Sequence, residues 1–146
     1  MIDRSPLPAG YSSLNVAALS QNARLLQART PLGDALVVER MRLREGVSEL
    51  FALTLDCLAS SAELDVEPLL GKEISVSLLL ADGSQRRWHA VVEGVDAVGA
   101  DGGLARYRLH AAPWLATLRL RRDSFLFQDK SVTDILTEIF ADYPQA

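Results

Sequence analysis

Leu104 to Gln128, LARYRLHAAPWLATLRLRRDSFLFQ, is the stretch whose reading decides the fold. It opens with a period of two. Ala105, Tyr107, Leu109 and Ala111 take one side, and Arg106, Arg108 and His110 take the other, as in a strand with one face buried. Pro113 removes a backbone donor and ends regular pairing. Trp114, Leu115 and Leu118 follow as bulky anchors, and a second apolar run, Phe125 to Phe127, closes the stretch. The reading is of a wall, apolar on its core side and rich in arginine on the other, with no catalytic pattern in it.

Outward from this wall the alternation repeats. Leu50 to Leu58 is the cleanest further strand, with Phe51, Leu53, Leu55 and Cys57 inward and Ala52, Thr54 and Asp56 outward. Ala35 to Arg44 sets Val37, Met41 and Leu43 against Arg40, Arg42 and Arg44; Glu39 falls on the apolar side and needs a partner or an exit. Arg24 to Thr30 is a candidate strand, followed by a turn at Pro31–Asp34. Glu73 to Leu80 puts Ile74, Val76, Leu78 and Leu80 on one face. Asp82-Gly83 predicts a tight hairpin into Arg86–Val95, and Asp101-Gly102-Gly103 a second one. Glu67-Pro68-Leu69-Leu70-Gly71 suits one helical turn stopped by glycine. At the end the period changes. Val132, Ile135, Leu136, Ile139 and Phe140 form one helical stripe, with Ser131 and Asp134 spaced as a capping box and Tyr143-Pro144 as the stop. The expected fold is mainly β: a Greek-key or meander barrel with short helices and a C-terminal amphipathic helix.

Composition narrows the function. The 146 residues are 49% hydrophobic and 23% charged, an ordinary globular balance with length enough for a core. The net charge of −4 gives no bulk support to polyanion binding. No apolar run reaches the roughly 18 residues of a membrane-spanning helix. One cysteine, Cys57, excludes an internal disulfide and a multi-cysteine zinc site, and its inward place reads as a buried, inert thiol. His89 and His110, the two histidines, sit mid-strand without the spacing of a triad or a metal set. The glycines between 94 and 103 lack the context of a phosphate cradle and read as hairpin residues. Residues 1–20 read as a flexible leader and 21–146 as the first part of a barrel domain truncated at its C-terminus; the final DYPQA looks like a cut inside a longer protein. Arg119, Arg121 and Arg122 with Asp123 are candidates for contacts between subunits. The same arginines beside Trp88, Tyr107 and Trp114 leave a rival reading, a stand-alone barrel holding single-stranded nucleic acid or glycan. The two readings differ in whether those aromatics are exposed together or lie in the core.

An ordered series of short motifs then carries a resemblance over residues 19–146. It runs through Arg24-Leu-Leu, Thr30-Pro-Leu-Gly33, Glu45-Gly-Val-Ser48-Glu-Leu-Phe51, Leu69-Leu70-Gly71-Lys72 and Arg87-Trp88-His89. It continues through Gly99 to Tyr107, Pro113-Trp114-Leu115, Arg122-Asp-Ser-Phe-Leu-Phe-Gln128, Ser131-Val-Thr-Asp134-Ile135-Leu136 and Ala141 to Pro144. The series resembles the N-terminal region of the VgrG (valine-glycine repeat) spike proteins of bacterial type VI secretion, themselves similar to the hub protein of contractile phage tails. Val47 stands for the usual leucine, Ala90 for glycine and Phe125 for arginine. The resemblance implies a non-enzymatic machine part without cofactor, metal, nucleic acid or small-molecule substrate. It implies a homotrimer whose barrels form a pseudo-sixfold hub on a hexameric tube protein, with baseplate proteins and effectors as further partners. Assembly would occur in the bacterial cytoplasm, before delivery into a target cell.

Overall fold

Alternating side chains bring six strands into one antiparallel sheet. In the computed structural model, which describes residues 24–145, these are β1 (Leu26–Arg29), β2 (Val37–Arg44), β3 (Ala52–Ala59), β4 (Glu73–Leu79), β5 (Gln85–Asp101) and β6 (Leu104–Ala112). Their order across the sheet is β1-β4-β5-β6-β3-β2. β4, β5 and β6 form a meander, and the long connection from β3 to β4 lets β3 lie beside β6, which is a Greek key. The sheet curls until its edge strands approach; Arg24 Nη1 donates to the Val38 carbonyl at 3.0 Å across that gap. The mainly-β, Greek-key reading holds, as a curled partial barrel. The leader expected over residues 1–20 lies outside the described residues.

The concave face is the core. Leu53, Leu55 and Cys57 of β3, Ile74 and Val76 of β4, Ala90 and Val92 of β5, and Ala105, Tyr107, Leu109 and Ala111 of β6 are all buried in one cluster. Ala90, where the resemblance calls for glycine, is an ordinary buried strand residue without positive φ. Leu80, expected on the apolar face, is at the exposed end beyond β4.

Three features depart from simple alternation. In β2 the register shifts between Val38 and Arg40, so Glu39 is the extra residue of a bulge. The bulge turns Glu39 out of the apolar row toward Arg106, at 3.9 Å, and puts Val38 rather than Val37 into the main core cluster. β5 runs on to Asp101, well past Val95, because bulges at Val92/Gly94 and Ala97/Gly99 absorb the glycines in the ladder. Only Gly102 and Gly103, both at positive φ, make the hairpin turn into β6. The Asp82-Gly83 hairpin is wider than two residues. Gly83 alone has positive φ, Gly83 N–H donates to Leu80 O, and Leu80 N–H donates to Ser84 O, the pattern of a three-residue loop.

After Pro113 a 3-10 segment, Trp114–Leu120, leaves the sheet, and an extended run leads to helix α1 (Val132–Phe140). Ser131 Oγ accepts from Asp134 N–H, and the Asp134 carboxylate accepts from Ser131 N–H, which completes the expected capping box. No α1 residue is buried.

Candidate functional site

The convex face over β2, β3, β6 and β5 carries a row of alternating charge. Arg40 of β2 is opposite Asp56 of β3, Asp56 is opposite Arg108 of β6, and Arg108 is opposite Asp96 of β5. Outward positions of four neighbouring strands thus read plus, minus, plus, minus, the favourable cross-strand arrangement. Arg108 Nε donates to Asp56 Oδ1 at 2.7 Å, and Arg42 adds a contact to Asp56 at 3.7 Å. The Arg108 hydrogen bond holds the Asp56 carboxyl below its usual range, and the same pair raises Arg108. His110 Nε2 sits 2.9 Å from Asp96 Oδ2 at the end of the row. Sequence alone gives Asp56, Asp96 and Arg108 no functional role; their only signal is the outward phase of three separate strands, whose register the sequence leaves open.

Among the described residues His110 bonds only to Asp96, and no hydroxyl or thiol is hydrogen-bonded to it. His89 lies on β5 opposite Ser75, away from His110 and its acid. Among the described residues no group of three or more His, Cys, Asp or Glu side chains is placed to hold a metal ion. Cys57 is buried, and desolvation pushes its thiol up to about 12, far from a reactive thiolate.

The motif residues are dispersed, and each is fixed by local contacts. Glu45 accepts from Trp88 Nε1 at 3.1 Å and from Arg86 Nη2 at 2.5 Å, which ties the β2–β3 turn to β5. The Trp88 bond is the main reason its carboxyl lies below the usual range. Ser48 occupies positive φ in that turn, and Phe51 packs half-buried on the core at its exit. Leu70 is exposed; Gly71, at φ 69°, donates to Val92 O at 2.9 Å as the crossover joins β4. The Tyr107 hydroxyl donates to Ala62 O at 2.9 Å and accepts from Leu64 N–H at 3.2 Å, which pins the crossover loop to the core. Pro113 caps the 3-10 segment, Leu115 is half-buried, Gln128 is exposed, and Ile135 is half-buried on α1 beside the cap residue Asp134.

Trp114 departs from its expected core place. It is half-buried outside the barrel, edge-on to Phe140 at 5.1 Å and tilted against Tyr143 at 5.9 Å. Trp88 and Tyr107 are buried, so the three aromatics of the nucleic-acid reading are not exposed together. Of the basic group, Arg121 turns back into its own chain. It donates to Asp123 at 3.2 Å and to Asp142 at 2.8 Å and lies over the Phe125 ring. Arg119 and Arg122 are exposed. The same C-terminal segment carries a run of exposed apolar side chains, a strip along the chain: Leu120 is 87% exposed, Leu126 86% and Val132 73%, with Phe125 and Leu136 also exposed.

The family match found by comparison with known proteins spans most of the sheet and all of this strip. Residues 44–146 match the family described as phage tail baseplate hub (GPD). Two Pseudomonas aeruginosa type VI secretion spike proteins are similar: VgrG1b, 36% identical over 86% of this chain and 17% of its own length, and VgrG1a, 38% identical over 82% of this chain and 19% of its own length. The chain therefore spans less than a fifth of either relative. An Escherichia coli type VI secretion component, itself described as structurally similar to the T4 phage tail proteins gp27 and gp5, shares the fold with a TM-score of 0.57 and 19% identity, over 74% of this chain and 33% of that one. With its family match running from the end of β2 through α1, the chain belongs to the phage tail baseplate hub family.

Proposed function

We propose that this chain is the hub-like part of a type VI secretion puncturing spike, a structural element that trimerises and joins the spike to a hexameric tube. The observation that carries the reading is the hub-family match over residues 44–146, which includes the exposed strip of Leu120, Phe125, Leu126, Val132 and Leu136. Leaving that much apolar surface in water is unfavourable, and burying it between subunits removes the cost. The half of the convex face over β2, β3, β6 and β5 suits a static role, since Arg42, Arg106, Arg108 and His110 each meet an acid of the same chain there. Residues 21–146 act as one hub-like unit, with baseplate proteins and effectors as further partners. Assembly takes place in the bacterial cytoplasm, followed by delivery through the secretion apparatus.

Light scattering of the purified chain across a concentration series, alone and with the tube protein, tests this. The reading expects a mass of three copies and a complex with tube hexamers. A monomer at every concentration that ignores the tube protein sinks it.

A further inference from the structure

The convex face has a second half, over β1, β4 and β5, and its chemistry is different. Two transverse rows lie side by side there. Arg29 of β1 is opposite Ser75 of β4, which is opposite His89 of β5; Gln27 is opposite Ser77, which is opposite Arg87. These six side chains line one groove of about 250 Å³. Every one of them has a hydrogen-bond donor to offer, and no carboxylate lines the groove. Arg29 and His89 have no ion pair among the described residues, and Arg87 is held only by the neutral amide of Gln85, at 3.0 Å. The other half of the face matches Arg42, Arg106 and Arg108 to Asp56 or Glu39. Glu73, one step further along β4, borders the groove at a separate cleft that it shares with His89. In a chain of net charge −4, an acid-free group of cations and hydroxyls is a local exception.

We infer that this groove docks an extended acidic segment of a partner protein, with carboxylates set over the two rows. The spacing supports an extended occupant: the rows are two residues apart along each strand, about 7 Å, the interval between alternate side chains of an extended peptide. Arginine forks and serine hydroxyls suit carboxylate oxygens. Nucleic acid fits poorly, because no Phe, Tyr or Trp ring lines the groove as a stacking platform for bases; Trp88 faces the opposite side and is 6% exposed. The inference goes beyond the assembly reading, since the groove lies on the sheet while the apolar strip lies on the C-terminal segment.

The test uses a synthetic peptide with glutamate at alternate positions, its glutamine counterpart, and inorganic phosphate, each titrated into the whole chain at low salt with amide shifts followed by NMR. The acidic peptide is expected to shift amides of β1, β4 and β5, and the glutamine peptide to leave them unmoved. Arg29→Ala with Arg87→Ala should weaken binding by about tenfold or more, whereas Arg119→Ala with Arg122→Ala, which removes the same charge elsewhere, should change it less than about twofold. Equal loss in both double variants overturns the inference, because the binding would then be unspecific attraction. A response to phosphate with none to the acidic peptide also overturns it. A monomeric chain that still binds the peptide at this groove would sink the trimer reading and leave this inference standing.

Discussion

Replacing Tyr107 by phenylalanine would keep the ring in the core and remove only the hydroxyl that holds Ala62 and Leu64. Part-buried backbone groups of the crossover loop would lose their partner, so the variant should be less stable by about 1–2 kcal/mol in a denaturant titration. An unchanged midpoint would show that the loop holds itself. Asp56 is the matching case on the convex face, since Arg108 and Arg42 both lean on it. Its carboxyl is depressed in the folded chain, so its contribution is present above the unfolded aspartate range and is lost as pH falls through the lowered folded value. Asp56→Ala should cost on the order of 1 kcal/mol at neutral pH, discounted for its partial exposure, and the gap to the parent should close in strong acid. A gap that persists there would mean that Asp56 acts through packing. Neither residue's role is fully legible in the sequence. The inward phase of Tyr107 is plain, but its loop partners are more than forty residues away.

Elements were legible where one face is uniformly apolar. β6 and β3 follow their alternation without interruption, and α1 starts at the cap that Ser131 and Asp134 announce. β2 was legible except at Glu39, because a bulge changes the phase of everything on one side of it, and a bulge has no composition of its own here. β5 read as too short for the opposite reason: Gly94 and Gly99 look like turn residues yet sit at ladder irregularities. The C-terminal contacts of Trp114 and Arg121 depend on residues twenty or more positions away, beyond any local period. The cap is the simplest element to test. Ser131→Ala should destabilise α1 by about 1 kcal/mol, visible as lower helical circular dichroism with the strand signal intact. Loss of both signals together would mean that the helix and sheet form one cooperative unit.

At the scale of the molecule, the strip along Leu120, Leu126 and Leu136 should govern self-association more than stability. Leu126→Ser with Leu136→Ser is expected to leave the thermal midpoint of the barrel within the scatter of the parent and to weaken assembly by about tenfold or more, read from mass against concentration. A drop in midpoint with assembly unaffected would reverse those roles. The C-terminal segment meets the barrel at the exit at Pro113 and along two shallow clefts, where Trp114 and Pro144 face Glu73 and His89 and Arg119 faces Ser48 and Glu49, while Phe140 and Tyr143 on Trp114 and Asp142 on Arg121 fasten the segment to itself. A body that holds its limb by shallow contacts, with none of the limb's helix buried, yields in two stages under load or heat. The limb should let go and exchange its amide protons early while the strands hold theirs, which leaves it free to swing and seat against a neighbour before the barrel has to bend.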